Sequence, residues 1–138
     1  MERILSDDKF LTTLLDETNS IFITRWKSVS SEIDSNVEEI KKYIKLIADE
    51  IASVHPKYYL ANQTERNTVY TVDIQNWIAV TLLGGCKRGG VKKAAVVQSK
   101  NLIADISTDQ MVSEASSELN FVVKYFSDEN SAKKFLLS

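Results

Sequence analysis

Tyr58-Tyr59-Leu60-Ala61-Asn62, the polar segment Gln63 to Val72, and then Asp73-Ile74-Gln75-Asn76-Trp77-Ile78 decide the fold. An apolar run of β type stops at an Asn. A polar stretch holding Thr64, Thr68 and Thr71 follows, and a helix opens on Asp with an aromatic one turn in. Strand, loop and helix in that order make one half of a parallel βαβ unit. In open sheets of that kind, ligands and partners meet the loops beyond the carboxyl ends of the strands. The stretch therefore says where to look for function.

Upstream, Phe10 to Leu15 and Ile21 to Trp26 are short β-type runs around Asp16-Glu17-Thr18-Asn19-Ser20, a separator of turn residues, and they read as a β-hairpin. Ile21 and Ile23 share one face of the second run, while Phe22 and Trp26 share the other, so both faces are covered. Ser30 and Ser31 are candidate caps of the longest helix, with Glu32, Asp34 and Glu38 early and Lys41, Lys42 and Lys45 later, as the macrodipole favours. Its apolar stripe is Ile33, Val37, Ile40, Ile44, Ile47, Ile51 and Val54, in alternating steps of about four and three. Pro56 ends it.

Downstream, the second helix starts near Thr71 or Asp73 and carries Ile74, Trp77, Ile78, Thr81 and Leu82 on one side. It is expected to stop in Gly84-Gly85-Cys86-Lys87-Arg88-Gly89-Gly90, read as a loop. Lys93 to Val97 is a small, apolar, central strand, and Asn101 to Ser117 a weak helix. Phe121 to Phe126 is the fifth strand, and Ser127 caps a last helix reaching Phe135 and Leu136. The order β-β-α-β-α-β-α-β-α predicts a single α/β domain over residues 1–138: a mixed sheet of about five strands, an antiparallel hairpin and then parallel βα units, flanked by helices.

A chain of 138 residues can bury one core without staples, and 43% hydrophobic with 26% charged residues is ordinary for a soluble globule. The net charge of −2 and pI near 5.5 argue against nucleic acid as a partner. No polybasic block marks a membrane surface, and no run approaches the ~18 apolar residues of a spanning helix. A lone cysteine, Cys86, excludes an internal disulfide, and the acidic N-terminus is unlike a signal peptide. The expected location is cytoplasmic.

Each reactive-looking feature also has a plain reading. The glycines from Gly84 to Gly90, with Lys87 and Arg88, suggest a phosphate loop, but such a cradle follows a strand and precedes a helix, and here that order is reversed. His55 at a helix end can meet terminal carbonyls, and nothing marks a partner for nucleophilic chemistry. Cys86 lies beside two cations that would lower a thiol pKa, yet no acid–base group accompanies it. No acidic or Cys/His group has metal-ligand spacing. Trp26, Trp77 and the Tyr58-Tyr59 pair read as core or sheet-face residues before a binding platform.

The candidate surface is therefore Asn62, Thr64, Thr68, Thr71, Asp73 and Trp77. Its hydroxyls can cap the helix, meet an anion at the helix N-terminus or accept a phosphoryl group. The expected function is a non-catalytic binding or regulatory module acting on a protein partner at this loop, with no cofactor. A carrier of a small apolar or lipid-like ligand is the alternative. A homodimer is the expected state.

Three pieces carry a family resemblance: Tyr59-Leu60-Ala61-Asn62 with Asp73 to Ile78, Gly90-Val91-Lys92-Lys93-Ala94-Ala95-Val96-Val97, and Val122-Val123-Lys124-Tyr125-Phe126 before a helix ending Phe135-Leu136. Together the chain resembles the SpoIIAA-like (STAS/Sec14-like) superfamily, in particular a small uncharacterised bacterial branch. The resemblance implies a (βα) superhelix with a mixed sheet. In the anti-sigma-factor antagonists of that superfamily, a serine at the start of the helix after the central strand is phosphorylated and gates partner binding. The Asp-Ser-Ser-Gly-type signature is absent here: Thr71 and Asp73 hold the corresponding helix start, and no serine lies between Ser53 and Ser99. The chain also shows no extra apolar lid helix of the kind a lipid-exchanging Sec14-like member would need.

Overall fold

The computed structural model describes residues 2–7, 11–27, 37–64, 72–98 and 122–138. Among the described residues six strands form a single sheet in strictly sequential order: β1 (Glu2–Asp7), β2 (Leu11–Asp16), β3 (Ile21–Trp26), β4 (Tyr58–Asn62), β5 (Lys93–Val97) and β6 (Val122–Phe126). β1, β2 and β3 pair antiparallel as a meander, and β3 through β6 pair parallel. The helices among the described residues are α1 (Val37–Val54), α2 (Val72–Gly89) and α3 (Glu129–Leu137).

The alternation read in Ile21 to Trp26 divides the core. Phe22 and Trp26 join Leu11, Tyr59, Ala61 and Ala94 under α1 and α2, against Ile40, Ile44, Ile47, Ile51, Leu82 and Cys86. Ile21 and Ile23 join Leu14, Leu60, Ala95 and Val97 on the opposite face, where α3 adds Ala132 and Leu136. The isoleucine stripe of α1 is thus the buried face that the spacing predicts. At the hairpin, Asp16 accepts the backbone and side-chain N–H groups of Asn19 at 3.2 and 3.0 Å, so its side chain braces the turn between β2 and β3.

Three expectations are corrected. The sheet has six strands, because Glu2–Asp7 pairs with β2 as an edge strand. Nearly all of β1 is exposed, so it lacks the buried alternating face that marks a strand in sequence. Asp7 ends this strand, where its Oδ1 accepts from Thr12 Oγ1 and Lys27 Nζ.

The second correction concerns the glycines. α2 runs straight through Gly84, Gly85 and Gly89, and the chain turns only at Gly90, whose φ is +79°. A Cβ on Gly85 would lie 2.7 Å from the Cα and carbonyl oxygen of Ala48, and one on Gly89 would lie 2.6 Å from the carbonyl oxygen of Ile51. These glycines let α2 approach the backbone of α1, a packing use that outweighs their poor helix propensity.

Third, the cap of α3 is Asp128 and not Ser127: the Asp128 carboxylate accepts Ser131 N at 2.7 Å and Ser131 Oγ at 3.0 Å. Phe10, the Ser30/Ser31 caps, Ile33 and the helix expected over 101–117 lie outside the described residues.

Candidate functional site

Parallel pairing sets Arg25 of β3 directly beside Asn62 of β4, and Asn62 beside Val97 of β5, at the carboxyl ends of the three strands. Alternation turns Arg25 and Asn62 toward the α3 face, the side of Ile21, Ile23 and Leu60. The first turn of α3 meets them there. Arg25 donates through Nε to Glu129 Oε2 and through Nη2 to Glu129 Oε1, both at 2.9 Å, a bidentate fork. Asn62 Nδ2 donates to Glu129 Oε2 at 2.6 Å. Glu2 of the edge strand accepts from Arg25 Nη2 at 3.4 Å and from Lys133 Nζ at 3.1 Å. Three strands and a helix are tied together by one network of charged groups and an amide.

Burial acts to raise the Glu129 carboxyl, but the bonds from Arg25 and Asn62 and the charges of Arg25 and Lys133 outweigh it, and the group sits below its ordinary range. The hydrogen bond to Glu129 in turn raises Arg25, against the opposing effect of burial.

The other end of the Asn62 amide shapes the chain leaving the sheet. Its Oδ1 accepts the backbone N–H of Thr64 at 3.0 Å and the Thr64 hydroxyl at 2.8 Å, while Gln63 N donates to Val97 O at 2.7 Å. The loop thus starts from a turn that a side chain fixes. α3 is pinned at its far end as well: Lys93 Nζ donates to Phe135 O at 3.3 Å and Ser138 O at 2.9 Å.

Of the residues chosen from sequence, Asn62 and Thr64 are brought together in this turn. Asp73 is exposed in the first turn of α2. Trp77 is half-buried against the core on the other side of the sheet, with Lys41 Nζ 5.2 Å from its ring centroid. Thr68 and Thr71 lie outside the described residues. Sequence reasoning missed Arg25, Glu129, Glu2 and Lys133. One signal was present: Arg25 interrupts a strand buried on both faces, and a cation there calls for a partner. The partner lies 104 residues away, so the pairing itself is not visible in the chain.

The reactive-looking groups have structural settings. Cys86 is fully buried, and burial pushes its thiol up to about 12, so the neighbouring cations do not activate it. His55 adopts a φ of +55° after α1 and places Nδ1 3.2 Å from the Gly89 carbonyl at the end of α2. Tyr59 is buried with its hydroxyl 3.1 Å from Thr24 Oγ1. Among the described residues no group of three His, Cys, Asp or Glu side chains is placed to hold a metal ion, and no helix is long and apolar enough to cross a membrane. Comparison of the chain with family models, curated proteins and solved structures found no match.

Proposed function

We propose that this chain is a non-catalytic binding or regulatory module that holds a protein partner at the carboxyl edge of its parallel strands. The surface assigned to that role starts at Asn62 and Thr64 and includes Asp73 at the opening of α2. Thr68, Thr71 and Trp77 are assigned to it from sequence. The observation that carries the reading is the braced turn: Glu129 and Arg25 hold Asn62, and Asn62 holds Thr64. A loop anchored this way loses less conformational freedom on binding than one that leaves the sheet unrestrained. The thiol, imidazole and phenol groups at Cys86, His55 and Tyr59 are engaged in packing and hydrogen bonding, which favours recognition over turnover.

A place in the SpoIIAA-like superfamily belongs to the same proposal. Its support is the stepwise order β3-β4-β5-β6, all parallel, with α1 and α2 on one face, which is the progression of a βα superhelix. A cytoplasmic home suits the lone buried cysteine.

The test is affinity capture by the full chain and by Asp73→Arg and Thr68→Glu, with Val80→Glu as control, since Val80 is 53% exposed elsewhere on α2. The reading expects a discrete partner, lost in the first two variants and kept by the third. A partner lost only with Val80→Glu contradicts the assigned surface. A lipid mass retained in native mass spectrometry of the purified chain favours the carrier function instead.

A further inference from the structure

We propose that Glu129 is the positioning residue of the Asn62–Thr64 turn, so that docking of α3 sets the conformation in which the carboxyl edge meets its partner. The inference rests on the binding reading above for its purpose, but its geometry stands alone.

A primary amide has two unlike ends, a donor and an acceptor. An ionised carboxylate only accepts, so Glu129 Oε2, 2.6 Å from Asn62 Nδ2, dictates which end faces α3. The acceptor end is then left for Thr64, whose backbone N–H and hydroxyl both donate to Oδ1 at 3.0 and 2.8 Å. Turning the amide over would set oxygen against oxygen at Glu129 and place the amide N–H groups against the Thr64 N–H. Arg25 fixes the other half of the relay. Its fork occupies both Glu129 oxygens and orients the carboxylate plane, leaving Oε2 able to accept Asn62 as well. Asn62 and Glu129 are 67 residues apart and belong to different elements, so the turn holds this shape only while α3 is docked. Asp128 caps the helix at that end and Lys93 anchors the other, which fixes where Glu129 stands.

The relay predicts rescue by the isosteric amide. Glu129 Oε2 accepts from both Arg25 Nε and Asn62 Nδ2, so in Glu129→Gln the one side-chain carbonyl takes that position and keeps both bonds, while the new NH2 faces Arg25 Nη2, for which Glu2 remains an acceptor. The Asn62 amide then keeps its orientation, and Thr64 keeps its acceptor. In Glu129→Ala no acceptor faces Asn62 Nδ2, the amide is free to rotate, and the bonds to Thr64 weaken.

The readout is hydrogen exchange of the Thr64 amide by NMR in the full chain with no partner present, with Leu60 and Ala61 amides as internal references. Glu129→Ala is expected to speed Thr64 exchange roughly threefold to tenfold relative to those references, as loss of one hydrogen bond implies. Glu129→Gln should keep it within about twofold of the parent chain, the size of one minor hydrogen-bond adjustment. If Glu129 only anchors the helix, Thr64 will change in step with Leu60 and Ala61, or Glu129→Gln will speed it as much as Glu129→Ala does. Either finding overturns the proposal. Should Glu129→Ala fail to fold, Glu129→Met, of similar length and without the acceptor, takes its place. Because no partner is present, failure of the capture experiment above leaves this result untouched.

Discussion

Gly84→Ala and Gly85→Ala, adjacent substitutions on one helix, should have opposite signs. Both positions lie inside α2, where alanine is better than glycine by about 1 kcal/mol through backbone entropy alone. At Gly84 the nearest atom to an added Cβ is Arg88 Nη1 at 4.0 Å, a flexible side-chain end, so the gain is realised in full. At Gly85 the added methyl meets the Cα and carbonyl oxygen of Ala48 at 2.7 Å and its Cβ at 2.8 Å. Backbone atoms cannot rotate out of the way. α1 and α2 must separate, and with them Ile44, Ile47, Ile51, Leu82 and Cys86. Overpacking of this kind costs about 3 kcal/mol at the upper end of its usual range. After the propensity gain, the net is a loss of about 2 kcal/mol at Gly85 against a gain of about 1 at Gly84. The two variants should melt about 9 °C apart, since each kcal/mol shifts a domain of this size by about 3 °C. Urea unfolding of the parent chain and both variants measures the difference. Equal stabilisation by both substitutions would mean that the helices do not approach at Gly85. No effect from either would return the glycines to a loop.

Three further outcomes follow from the same geometry. Glu129 lies below its ordinary 4.5 in the folded chain, so its contribution to stability is complete above that pH and fades as pH falls through the folded value. Between roughly pH 5 and pH 3 the parent should therefore lose stability more steeply than Glu129→Gln, and parallel slopes in acid unfolding would contradict this. Arg25→Met and Glu129→Ala should each cost about 1–3 kcal/mol, with a double variant costing clearly less than their sum. An additive double-mutant cycle by urea unfolding would deny the coupling. Cys86, buried with its thiol pushed up to about 12, should react with a thiol reagent only as fast as the protein opens, and the Gly85→Ala variant should speed that reaction. Rapid labelling of the native parent chain would refute the burial.

Sequence legibility followed locality. The α1 isoleucines, Tyr58–Asn62 and Lys93–Val97 declare themselves because their periodicity lies within one element. β1 hides because an edge strand with charged residues at Glu2, Arg3 and Asp7 has no apolar face to reveal. The glycines of α2 mislead because their role lies in the backbone of α1, which no local pattern encodes. The same holds at the candidate site. Asn62 and Thr64 were legible as a strand end and a polar loop residue, whereas Arg25 and Glu129 meet only through the parallel register and the docking of α3. Trp77 follows in the same stretch of sequence, and α2 packs it half-buried against the core beneath α1 and α2.

The claim that the carboxyl edge is the binding surface is tested most directly by photo-crosslinking in the cells the chain comes from. A crosslinking side chain at position 73 should give one discrete protein adduct, reduced by Thr68→Glu, while the same group at the exposed position 80 gives none. An adduct from position 80 with none from position 73 would contradict the account.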